Sequence, residues 1–196
     1  VIKQSLFLNK INKISGILNG TTNFILSEMH KTNYEFLKVL KEAQKNGYAE
    51  ANSKNDIEGI DAAHKLTILS VICFGVQFNF NNVIYKGISN INHQDIRFAK
   101  QLGYKIKLIA SVEINNNKIT SVVEPTLVKN TSKLANVDGV QNGIKIESDQ
   151  QSLFVEGEGA GGRATSSSVI SDLLEIAKGS NFYSLGYETK NLNEIE

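Results

Sequence analysis

The chain is 196 residues long, with 41% apolar residues, 21% charged residues and a formal net charge of +1. That length can bury a core of its own and fits one domain, with or without an appendage, and the composition is ordinary for a globular protein. The near-neutral balance gives no electrostatic case for nucleic acid or an anionic membrane, and no apolar run approaches a membrane span. Cys73 stands alone, so no internal disulfide is available and a reducing compartment is expected.

Taken in chain order, the opening VIKQSLFLNK does not read as a secretion signal, because its apolar stretch is short and broken by charge. Residues 10–18, KINKISGIL, alternate like a strand. Asn19-Gly-Thr-Thr-Asn23 is a turn whose Thr or Asn suits the start of a helix over Phe24–His30. Tyr34–Lys45 carries Phe36, Leu37, Leu40 and Ala43 at helical spacing, and Asn46-Gly47 provides a stop. A helix is expected from about Asp56 to Phe74, since Leu66–Phe74 is almost wholly apolar. Val83–Ile88 reads as a strand and His93–Leu102 as a helix. Lys105–Glu113 and Lys118–Val123 flank a hairpin turn at Asn115-Asn116-Asn117. Gln141–Glu147 and Gln151–Val155 form a second hairpin. Glycines 157, 159, 161 and 162 make a loop before a last helix over residues 164–178. Without regular β-α-β alternation, these pieces predict an α+β fold.

The segment from Gly47 to Leu66, GYAEANSKNDIEGIDAAHKL, concentrates the polar chemistry. Asp61 and Lys65 are four apart, so a helix sets carboxylate and ammonium on one face. Glu50, Asp56 and Glu58 crowd the loop before them. Such a pair at the mouth of an apolar helix suits a polar substrate. The plainer reading is a solvated surface pair worth about 0.3–0.5 kcal/mol. Asp56 equally suits a helix cap and Glu58 the helix dipole. His64 points away from the Asp61–Lys65 stripe, which continues to Ile68 and Ile72 and is expected to face inward. The three histidines have no metal-ligand spacing, and no metal site is expected.

Four segments occur in order: Ile17-Leu-Asn-Gly-Thr-Thr-Asn-Phe-Ile25, Gly47-Tyr-Ala-Glu50, Asp56-Ile-Glu-Gly-Ile-Asp61-Ala-Ala-His-Lys65 and Gly159-Ala-Gly-Gly162. Together they closely resemble the substrate and dimerisation half of homoserine dehydrogenase, over residues 1–179, with 180–196 a C-terminal extension. The resemblance implies a mixed sheet with helices on one face and the other face pairing two subunits. It implies a cytoplasmic enzyme of threonine and methionine biosynthesis that interconverts aspartate 4-semialdehyde and homoserine with NAD(P). No strand followed by G-x-G-x-x-G opens the chain. The expectation is therefore a fragment without its Rossmann domain, inactive alone.

The resemblance also implies roles. Lys65 is the acid/base or the group that polarises the carbonyl, and Asp61 orients its ammonium or holds the substrate hydroxyl. Partial burial would lower the lysine pKa towards basic function. Glu50, then Asp56, suit the substrate ammonium, with Thr21, Gly47 and Tyr48 completing the substrate pocket. Gly159, Ala160, Gly161 and Gly162 meet the cofactor, which the missing domain holds for the most part. A plain flexible connector is the other reading of that loop. Val169, Ile170, Leu173 and Ile176 offer an apolar face on the last helix. The chain departs from the family at Asn52-Ser53, where Asp-Pro is usual, and at Glu158, where proline is common. The family's monovalent cation site lies largely upstream of Val1. The alternative function is a non-catalytic dimerisation or amino-acid-binding module on the same fold.

Overall fold

The computed structural model describes residues 10–77, 79–115 and 118–179. These form a six-stranded sheet in the order β2-β4-β3-β1-β5-β6. The strands are β1 (Ile11–Ile17), β2 (Ile84–Tyr85), β3 (Tyr104–Asn115), β4 (Lys118–Lys129), β5 (Gln141–Ser148) and β6 (Ser152–Glu158). Neighbours run antiparallel except β2 and β4, which are parallel, so the sheet is mixed as expected. The β3–β4 and β5–β6 hairpins hold the predicted places, and Asn115 faces Lys118 across the first. Residues 116–117 of that predicted turn lie outside the described residues.

Six helices accompany the sheet: α1 (Gly20–Thr32), α2 (Phe36–Lys45), α3 (Lys54–Ile57), α4 (Ile60–Phe74), α5 (His93–Gln101) and α6 (Gly162–Ala177). Helices α1, α4 and α5 pack on β3, and α2 packs on α1. Strand alternation sends Ile14, Leu108, Ala110, Val112, Val123 and Ile146 towards these helices. They meet Ile25, Leu26, Met29, Leu66 and Ile96 in one core. Among the described residues the opposite sheet face carries no α-helix. At one end a small cluster of Ile17, Ile109, Leu134 and Val137 forms around the 3-10 turn Lys133–Asn136. Elsewhere it displays Ser15, Ser111, Thr120, Val122 and Thr126, with a Lys13–Glu113 ion pair at 2.7 Å.

Local chemistry sets the boundaries. The Asn19 side chain accepts the Thr22 N–H at 2.9 Å, so α1 starts at Gly20, earlier than the apolar pattern predicted. Asn92 and Asp95 form a reciprocal capping box at the head of α5. The long helix expected over 56–74 is instead two helices. Gly59, at φ 79°, breaks the path between α3 and α4, a backbone that glycine adopts without Cβ strain. Asp56 therefore lies on α3 and caps nothing; Ser53 and Gly59 hold the N-cap positions. The strand expected over 83–88 shrinks to Ile84–Tyr85, because β2 pairs only with Val122 and Val123. Beyond that contact the edge of β4 from Glu124 onward is open, and Pro125 sits on it.

The stripe Asp61–Lys65–Ile68–Ile72 does not face inward. Ile68 is 47% exposed, and α4 buries Ala62, Ala63, Leu66, Thr67, Ser70 and Val71 instead. Thr67 and Ser70 satisfy their hydroxyls on the carbonyls of Ala63 and Leu66. Cys73 packs against the core, and burial pushes its thiol up to about 12. Helix α6 leaves Val169, Ile170, Leu173, Leu174 and Ile176 all exposed, as the pattern predicted. No described helix is long and apolar enough to cross a membrane.

One polar cluster was not foreseen. Lys107 interrupts an apolar strand run and is 1% exposed. Its ammonium donates to the Val137 carbonyl at 2.6 Å, Asp138 at 2.8 Å, Asn23 at 3.0 Å and Ser27 at 3.1 Å. Burial pushes its pKa down and the hydrogen bond with Asp138 opposes that. The Asn23 amide in turn donates to the carbonyls of Val137 and Gln141. The cluster thus ties the loop over residues 137–141 to α1. Burial disfavours the Asp138 carboxylate, but hydrogen bonds from Lys107 and Lys105 outweigh it and hold the pKa at about 2. A folded pKa below the unfolded value gives stability that is present above about pH 4 and is lost as pH falls towards 2. Asp138→Asn is expected to cost on the order of 1–2 kcal/mol at pH 7: it leaves the buried Lys107 without its anion, but the Asp138 side chain is 51% exposed and solvent screens part of the loss. It should also flatten the acid limb between pH 4 and 2, read by urea unfolding at several pH values.

Candidate active site

Strand β1 is central in the sheet and ends at Ile17, and within two residues the chain turns into α1. That turn meets the start of α4, the loop after α2 and the loop before α6. Between them lies a cleft of about 410 Å³. Asp56, Asp61 and Lys65 line it from one side, Thr21, Gly47 and Tyr48 from another, and Gly159, Ala160 and Gly161 from the third. Of the residues named from sequence, the structure brings these nine together. Gly162 opens α6 just beyond. Glu50 lies exposed on the loop after Tyr48 and does not line the cleft.

The Asp61 carboxylate and Lys65 ammonium pair at 2.7 Å, with side chains 32% and 47% exposed. The expected burial of this lysine is not found. Its ammonium also donates to the Leu18 carbonyl at 3.2 Å. An ammonium carries three hydrogens. Two are therefore spent, and the third has no acceptor among the described residues. Asp56 Oδ1 and Asp61 Oδ2 both accept from the Asn19 amide, at 2.7 and 2.9 Å. The Thr21 hydroxyl donates to the Tyr48 carbonyl at 2.7 Å, which pins the Gly47–Tyr48 loop over α1. The Tyr48 ring leans on Phe24, with centroids 4.9 Å apart. Gly20 can be only glycine here, since a Cβ would stand 2.7 Å from the Val140 carbonyl oxygen.

Asn142 also lines the cleft, and the sequence reading passed over it. Its Oδ1 is buried without a hydrogen-bond partner among the described residues, and Gly159 presses against its amide. Its place on a strand opposite Gly157, beside the glycine loop, was the available signal. His64 stacks on Phe80 at 4.1 Å, away from the ion pair, as expected. At the head of α6 no side chain caps Gly161, so the first N–H groups of that helix are free to meet a ligand acceptor. Backbone donors beside an uncapped helix start fit the carboxamide or phosphate of a nicotinamide cofactor. Glu158 adds a charge of the wrong sign nearby.

The geometry is that of a polar cleft with one ammonium, two carboxylates and a glycine-lined wall. Comparison with known proteins gives the family. The family model described as homoserine dehydrogenase matches residues 1–174. Homoserine dehydrogenase of Neisseria gonorrhoeae is 45% identical over 179 residues, covering 90% of this chain and 41% of the relative. That of Helicobacter pylori is 44% identical, covering 96% and 45%. The crystal structure of a homoserine dehydrogenase from Thiobacillus denitrificans superposes with a TM-score of 0.91 at 40% identity, covering 99% of this chain and 47% of that one. A hyperthermophilic archaeal homoserine dehydrogenase in complex with NADPH gives 0.75 at 28% identity, covering 92% and 51%. The chain spans less than half the length of the curated relatives quoted, and it belongs to the homoserine dehydrogenase family.

Proposed function

We propose that this chain supplies the substrate-binding and proton-transfer side of an NAD(P)-dependent homoserine dehydrogenase of the cytoplasm, serving threonine and methionine biosynthesis. The carrying observation is the unspent third hydrogen of the Lys65 ammonium, directed by Asp61 in a cleft of amino-acid size. In the reducing direction the aldehyde oxygen of aspartate 4-semialdehyde sits on that hydrogen. A nicotinamide cofactor, when bound against the Gly159–Gly162 wall, would supply the hydride for the carbonyl carbon. Lys65 gives its proton to the oxygen as negative charge develops there, and homoserine results. Oxidation runs the same path backwards, with Lys65 or a water on Asp61 taking the hydroxyl proton.

The substrate ammonium needs an anion. Asp56 lines the cleft and is the first choice, with Glu50 beyond Tyr48 a second anion outside it. Thr21 acts by holding Gly47 and Tyr48 in place. Gly159, Ala160, Gly161 and Gly162 would meet the cofactor, whose remaining contacts we assign to a nucleotide-binding domain other than residues 1–196. The same domain would draw the apolar face of α6 against it. The bare sheet face around Lys13, Ser111 and Glu113 would pair two copies as a homodimer. A non-catalytic amino-acid-binding module is the second reading, favoured only by the exposure of Lys65.

Lys65→Ala, in protein complete with a nucleotide-binding half, is expected to lower kcat on the order of 10²–10⁴-fold. Asp56→Asn should chiefly raise KM for homoserine, since it removes a contact to the unreacting ammonium. Steady-state kinetics with circular dichroism as the folding control decides; a Lys65→Ala enzyme within about threefold of wild type removes Lys65 from the chemistry. Residues 1–196 alone should bind homoserine without NAD(P)-dependent turnover. Robust turnover by that chain would overturn the division of labour. Sedimentation should give a dimer, and adding negative charge to the bare face with Ser111→Glu and Thr126→Glu together should convert it to monomer.

A further inference from the structure

We propose that Asn19 is a positioning residue for the reacting pair: one buried amide that fixes where Asp61, and through it Lys65, points. The proposal rests on the functional reading above. Asn19 is 5% exposed and every one of its side-chain polar positions is used. Its two Nδ2 hydrogens go to Asp56 Oδ1 and Asp61 Oδ2. Its Oδ1 accepts from the Thr22 N–H at 2.9 Å and the Thr22 hydroxyl at 3.0 Å. The partners leave no freedom in the amide's orientation. Carboxylates accept and a backbone N–H donates, so a flipped amide would fail at Asp56, Asp61 and the Thr22 N–H, and only the Thr22 hydroxyl could adapt.

A helix cap alone needs only the oxygen. The nitrogen does something the cap does not require. It holds two carboxylate oxygens within 3 Å of one atom, although those anions repel each other. Asp61 Oδ2 is the same oxygen that accepts from Lys65. The neighbouring Leu18 carbonyl takes a second hydrogen of the Lys65 ammonium. Residues 18 and 19 therefore grip both members of the pair. They do so from the end of the central strand, where the backbone is held on both sides by β3 and β5. Among the described residues, Asn19 and Lys65 are the side chains that hydrogen-bond Asp61.

Replacement separates the two roles. Asn19→Asp keeps a good cap, loses both donors and adds a third carboxylate. Asn19→Ser keeps a cap but is too short to bridge. Asn19→Ala loses cap and bridge. A capping role ranks the variants by stability, with Asn19→Ser, which keeps a cap and adds no charge, close to wild type in both folding and turnover. A positioning role separates folding from turnover in that variant. Asn19→Ser should then keep the thermal midpoint nearest wild type while its kcat falls at least about tenfold, and Asn19→Asp, whose third carboxylate repels Asp56 and Asp61, should have the lowest kcat, down on the order of 10²-fold, with a lowered midpoint. Kinetics and thermal unfolding of the three variants, made in protein complete with a nucleotide-binding half, read this directly. Asn19→Asp with kcat within about threefold of wild type overturns the proposal.

A second readout is independent of any substrate. In ¹⁵N NMR spectra the Asn19 side-chain amide should exchange slowly with solvent and shift in both Asp56→Asn and Asp61→Asn. An amide signal indifferent to both substitutions overturns the bridge, whatever the activity. Wild-type protein without homoserine turnover would instead overturn the functional reading, and the NMR result would still decide the bridge.

Discussion

The cleft depends on where β1 stops. This strand lies in the middle of the sheet, paired along its length to β3 and β5, so its end is fixed by two ladders. Two residues later the chain is already in α1. The charged side of the cleft is hung from that short turn and the first residues of α1. The Leu18 carbonyl holds Lys65, the Asn19 amide holds both aspartates, and Thr21 holds the loop carrying Tyr48. A site built on the end of a core strand inherits the rigidity of the sheet, which loops alone do not provide. Four stretches far apart in sequence can then meet with little freedom left to lose.

Two lysines show how differently one chemical group is used in a single fold. Lys107 is sealed in, with four partners for its ammonium, and it fastens the loop over 137–141 to α1. Lys65 stands half in solvent with two partners. The buried one has no hydrogen to offer a ligand; the exposed one does. The supports of the cleft are thus more deeply buried than the residues that face it. Val140 and Asn142, on the far wall, are set by the Lys107 cluster through the Val137 and Gln141 carbonyls.

The order of the elements was legible because hydrophobic period and turn residues agree over most of the chain. Asn19, Asn46-Gly47 and the two hairpins marked their own boundaries. The fold class followed from the absence of β-α-β alternation. The break between α3 and α4 was also written at Gly59, but the apolar run after it drew the helix too far upstream. The direction of the Asp61–Lys65–Ile68 stripe was misread for a different reason. Helix α4 is apolar almost all round, so its pattern does not say which face is inside; the small residues Ala62, Ala63 and Ser70 decide it by allowing close approach. The nine cleft residues came together as their motif order suggested. Asn19, Lys107 and Asn142 stayed hidden because their importance lies in partners tens of residues away.

Pro125 has a consequence for how this sheet keeps company in a crowded solution. Past Val123 the β4 edge has no neighbouring strand among the described residues, and an unpaired edge invites another chain to extend the sheet. Proline has no N–H to give such a visitor, and Glu124 beside it adds charge. The fold thereby closes to strangers the one flank that short β2 leaves uncovered, and it does so without spending any further chain length on a covering strand.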